Sequence, residues 1–77
     1  MSKKLSAKEH AVIFREVFFD QYEDEENFTP SKVKAMTKQE ALAFVRAHIH
    51  NMIAINGASE LWECERKAAA DLKIDIT

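Results

Sequence analysis

One cysteine, one glycine and one proline are all that 77 residues contain of each, and no long apolar run is present. Each scarcity excludes something. A lone cysteine, Cys64, cannot close an internal disulfide, and it suits a reducing compartment better than an oxidising one. So few turn residues argue against an all-β domain, which needs them at short intervals. No stretch approaches the roughly 18 apolar residues of a membrane span. Met1-Ser2-Lys3-Lys4 carries positive charge with no apolar segment behind it, so it does not read as a secretory signal. The expected setting is the cytoplasm, with no membrane.

Charge of one sign is also missing in bulk. The net charge of −2 gives little general attraction for nucleic acid. Local charge is less even: residues 1–22 carry +1, 23–26 carry −4, 27–58 carry +3 and 59–77 carry −2. Such alternation suits packing between segments or between subunits.

What the chain does have is apolar content, at 47%. That excludes a disordered or low-complexity protein. The length allows one domain, residues 1–77, and a chain of this size buries only roughly 60% of its unfolded surface. A second subunit or another staple commonly supports such a core.

The pattern predicts an all-α domain with three main helices and one short one, at about 7–22, 30–36, 38–55 and 60–72. Ser6-Ala7-Lys8-Glu9 is a capping box that should start the first helix. Ala7, Ala11, Phe14, Val17, Phe18 and Tyr22 form one stripe at 100° per residue. Leu5, Val12 and Phe19 lie seven apart on another side. The first helix is therefore apolar in two directions, and one of them needs a cover. The acidic run Glu23, Asp24, Glu25 and Glu26 opposes the helix dipole and should help stop it.

Thr29-Pro30 reads as an N-cap followed by proline at the first helical position. Thr37-Lys38-Gln39-Glu40 is a second capping box. It opens a helix with the stripe Leu42, Val45, Ile49, Met52 and Ile53, closed by Asn56-Gly57 with glycine in a left-handed conformation. Ser59 is the expected cap of the last helix, whose stripe is Leu61, Cys64, Ala68 and Leu72, with Trp62, Glu65 and Ala69 at the edges. The short connection predicts hairpin-like packing of the last two helices. Leu72 to Thr77 alternate apolar and polar, which reads as an extended tail. Ile74 and Ile76 on it would need a neighbouring helix or another copy to cover them.

No constellation of catalytic or cofactor-binding residues outweighs its ordinary explanation. His48 and His50 are two apart and point about 200° from each other on a helix. His10 and His48 could approach Cys64, and zinc accepts such ligands, but no short ligand pair supports a site. Ordinary edge histidines outweigh it. Cys64 on its apolar stripe reads as a packing thiol rather than a nucleophile. The acidic run 23–26 lacks the alternating oxygens and central glycine of a calcium loop. It reads as a solvated loop or, functionally, as a patch that steers a basic partner. Lys32, Lys34, Lys38 and Arg46 are the notable basic residues, too sparse on one face for a DNA-reading helix. Helix starts at Thr29, Thr37 and Ser59 could hold a small phosphate. Among the aromatics, Phe19 and Trp62 stand apart from the core stripes, as interface anchors do.

These readings predict a non-enzymatic protein, without cofactor or metal, that binds and modulates a protein partner as a regulator or inhibitor. It would act as a homo-oligomer, with a dimer favoured, through Leu5, Val12, Phe19, Trp62, Ile74 and Ile76. The alternatives are a small-ligand or nucleotide-binding protein and a DNA-binding regulator.

Overall fold

The computed structural model describes residues 3–18, 20 and 29–76. The fold is all-α, with no strand among the described residues. In chain order come α1 (Ala7–Val17), α2 (Pro30–Lys34), α3 (Lys38–Asn56), a 3-10 turn at Ala58–Glu60, and α4 (Glu63–Leu72).

Local chemistry sets the helix starts. Ser6 Oγ accepts from the Glu9 amide at 3.2 Å, and Glu9 Oε1 accepts from the Ser6 amide at 3.0 Å. Thr37 and Glu40 repeat the reciprocal arrangement at 3.1 and 2.9 Å. Each box satisfies two amides that a helix start leaves without partners. Thr29 Oγ1 caps α2 through the Lys32 amide, with Pro30 at the first helical position.

Helix α1 is the hub and packs against α2, α3 and α4. Phe14 and Phe18 meet Val33 of α2, Ala41, Val45 and Ile49 of α3, and Ala68 and Ala69 of α4 in one buried cluster. Alanine at successive core positions of α4 lets that helix approach closely. Burial of these side chains supplies the main drive to fold.

Three features differ from the sequence pattern. Helix α1 ends at Val17, where Phe18 leaves helical geometry (φ −110°, ψ 28°); the further turn expected to Tyr22 falls mostly outside the described residues. Ser59 caps no α-helix. Leu61 is extended and turns its side chain into the core, so α4 starts at Glu63 with Trp62 as its cap. Arg66 fastens this connection, donating from Nε to the Leu61 carbonyl at 3.0 Å and from Nη2 to the Ser59 carbonyl at 2.8 Å. Gly57 closes α3 at φ +93°, ψ 153°, an extended positive-φ conformation reserved for glycine rather than the left-handed helical one.

Of the two covers open to the tail, the chain's own helices take the first part of it. Lys73 adopts the left-handed conformation (φ 56°, ψ 45°), and both its amide and that of Ile74 donate to the Ala69 carbonyl. This turn folds the chain back, and Ile74 is only 7% exposed within its own chain. It is core rather than interface, and the tail forms no strand through residue 76. The side chain of His50 reaches the Asp75 carbonyl at 3.3 Å and ties the tail to α3.

Lys73 holds a backbone conformation that disfavours side chains with a Cβ. Lys73→Gly is therefore expected to raise stability by about 1 kcal/mol, measured by urea unfolding. Gly57→Ala is expected to act in the opposite sense. A Cβ at Gly57 would meet nothing within 4 Å, so the penalty would come from φ alone.

Candidate interaction surface

Two histidine–carboxylate pairs fix α4 in place. His10 Nε2 lies 2.8 Å from Asp71 Oδ2, and His48 Nε2 lies 2.9 Å from Glu65 Oε2. A carboxylate accepts and does not donate, so each Nε2 carries the shared hydrogen. Asp71 Oδ2 also accepts from the Leu5 amide at 3.0 Å and pairs with Lys67 at 3.3 Å. Glu65 is fully buried, and its second oxygen accepts from the Trp62 amide at 2.8 Å. One carboxylate thus caps α4 and ties it to α3.

The pattern of α4 had Glu65 at the edge of the stripe. Yet Glu65 lies one turn from Ala68 and Ala69 and two turns from Leu72, which puts the carboxylate on the buried face. That spacing was the available signal. His10, His48 and Cys64 do not assemble into a metal-binding group, and the described residues contain no cluster of three or more such ligands. Cys64 is half-buried rather than buried. Burial, with the nearby negative charge of Glu65, pushes its thiol above the ordinary value, which disfavours the thiolate needed for nucleophilic chemistry.

These pairs carry the acid response of the fold. The Leu5 amide is the largest cause holding Asp71 down at about 2, against an ordinary 3.8; burial opposes it, and His10 and Lys67 add to it. A depressed carboxyl contributes stability above its unfolded pKa, lost as pH falls through the folded one. For Asp71 that window runs from 3.8 down to about 2. Burial also lowers His48 from the usual 6.5, outweighing the hydrogen bond and charge of Glu65. The unfolded chain therefore takes up this proton first, and stability starts to fall as pH drops below 6.5. Thermal midpoints measured against pH are expected to decline in these two stages. Asp71→Asn should flatten the lower stage; Glu9 and Glu40, lowered by their capping bonds, leave a residual slope.

The surface itself lies on the other side of α1. A groove of about 470 Å³ is lined by Leu5, Ser6, Lys8, Glu9, Val12, Ile13 and Lys34. The capping box fixes how the chain enters α1, and the Leu5 amide is pinned to Asp71, so the floor of the groove is anchored to the core. Leu5, Val12 and Ile13 are half-buried and line the groove, and Val12 and Ile13 also pack against the core. No family profile, curated protein or solved structure matches the chain.

Of the residues predicted to form an interface, the structure brings Leu5 and Val12 together in this groove. Trp62 lies elsewhere, 58% exposed, its ring 5.1 Å from Phe18 at the end of an aromatic stack with His48 and Phe14. Val17, on the stripe expected to be core, is 43% exposed, and Ile55 is 66% exposed. Ile76 is half-buried and Ile74 belongs to the core. Phe19 and the acidic residues Glu23, Asp24, Glu25 and Glu26 lie outside the described residues. Sequence reasoning missed Ile13, Lys8 and Lys34. The two lysines lie on different helices, and only their packing places both on one groove. No described helix is long and apolar enough to cross a membrane.

Proposed function

We propose that this chain is a non-enzymatic interaction protein that binds and modulates a protein partner through the groove beside α1. The observation that supports it is the half-covered apolar set of Leu5, just before the cap of α1, and Val12 and Ile13 on that helix, all lining the groove. A groove with an apolar floor beside a helix suits an apolar segment of a partner. A photo-crosslinking side chain at Val12, compared with the same label at exposed Ala47, tests the proposal in extracts of the native host. One discrete adduct with another protein from position 12 alone is the expected result. Equal adducts from both positions contradict it.

A second reading, self-association, is favoured by Trp62, an exposed aromatic braced on Phe18. Such residues anchor interfaces. Light scattering is expected to give a mass above that of the monomer, reduced by Trp62→Ala. A strict monomer at high concentration removes this reading and leaves the groove untouched.

A further inference from the structure

We infer that the groove takes an acidic amphipathic helix of a protein partner, with its apolar side chains on Leu5, Val12 and Ile13 and its carboxylates on Lys8 and Lys34. The inference rests on the groove being the working surface of the chain. Its first support is the charge around the groove. Lys8 and Lys34 are exposed, and neither has an ion-pair partner among the described residues. The acidic lining residue, Glu9, is committed to capping: it accepts from the Ser6 amide at 3.0 Å, and Lys3 lies close enough to favour its ionised form. The lining therefore carries a net charge of +1, two ammonium groups against one carboxylate that caps its own helix.

Two ammonium groups beside an apolar floor attract carboxylates on a partner. Charge of this kind selects orientation and rejects wrong docking more than it adds affinity. The lysine stems extend the apolar wall while their ammonium groups stay in water. An apolar floor with cationic edges matches an apolar stripe with acidic flanks.

Geometry favours a helix as the occupant. No strand edge is present among the described residues for an extended peptide to join. From the cap at Ser6 to Ile13 the wall runs seven residues, about 10 Å at 1.5 Å per residue. That matches about two turns of a partner helix, with anchors at i, i+3 or i+4, and i+7.

The test uses the full chain labelled with ¹⁵N and two synthetic peptides of about 16 residues, long enough to form helix. Both carry leucine at i, i+3 and i+7; one has glutamates flanking that stripe and the other lysines. The glutamate peptide is expected to shift the amides of Leu5, Lys8, Val12 and Lys34, and to bind about fivefold more weakly to the Lys8→Glu/Lys34→Glu chain. The lysine peptide is expected to prefer that double variant. Equal binding of both peptides at the groove overturns the charge inference and leaves the interaction reading standing. No shift at the groove with either peptide overturns both. Two further results overturn the inference: tighter binding of a short single-stranded DNA at the same amides, or groove shifts that follow the chain's own concentration without peptide, which assign the groove to a second copy.

Discussion

Replacing Glu65 with alanine is expected to destabilise the folded chain by about 3 kcal/mol. The side chain is fully buried, and its two oxygens serve different elements: one accepts from His48 of α3, the other from the Trp62 amide at the start of α4. Truncation would leave a buried imidazole and a helix-start amide without their acceptor, and would open a void between the helices. Domains of this size have only about 5 kcal/mol to lose. The thermal midpoint should therefore fall by about 15 °C, read by circular dichroism. Glu65→Gln separates the parts of this effect. The amide oxygen can still accept from Trp62, and the amide nitrogen can donate to His48 in its other tautomer, so its loss should be less than half that of alanine. Equal losses would mean that the negative charge, rather than shape and hydrogen bonding, sustains the contact.

Phe14→Ala is expected to cost about 4 kcal/mol, most of what a domain of this size has, and to leave the chain only marginally folded at room temperature. Phe14 is fully buried at the centre of α1. It meets Phe18 edge-on at 5.8 Å between ring centroids and the imidazole of His48 at 4.8 Å. Removing the ring takes apolar contact from α1 and α3 together and leaves His48 bordered by a cavity. Phe14→Leu keeps most of the volume and should cost about 1–2 kcal/mol. Urea midpoints for the three chains provide the comparison. A Phe14→Ala chain within 1 kcal/mol of the parent, on an approximate scale for such truncations, would place the core elsewhere.

Much of the architecture was legible in the sequence because its signals are local. The capping boxes at Ser6 and Thr37 need only four residues each, and the structure forms both. The stripe through Ala11, Phe14 and Phe18 and the pair Val45 and Ile49 are buried as their spacing requires. Features set by distant contacts were harder to read. Ser59 looks like a cap on its own, yet Leu61 turns inward and Glu65 serves the start of α4 in its place. The alternating tail resembles a strand until the left-handed turn at Lys73 puts Ile74 into the core. For the groove, the spacing of Leu5 and Val12 already marked a second apolar face. Its cationic rim was not readable, because Lys8 and Lys34 are 26 positions apart and meet only through the packing of α2 on α1.

An interaction surface on this chain requires apolar side chains that stay reachable after folding. Methyl-labelled protein, dilute and exposed to a soluble paramagnetic agent, reports that directly, with Ile49 and Val45 as buried references and Ile55 as the exposed one. The methyls of Leu5, Val12 and Ile13 are expected to relax much faster than those of Ile49 and Val45, toward the rate at Ile55. Relaxation as slow as at Ile49 would mean that the groove is already filled, and would contradict such a surface.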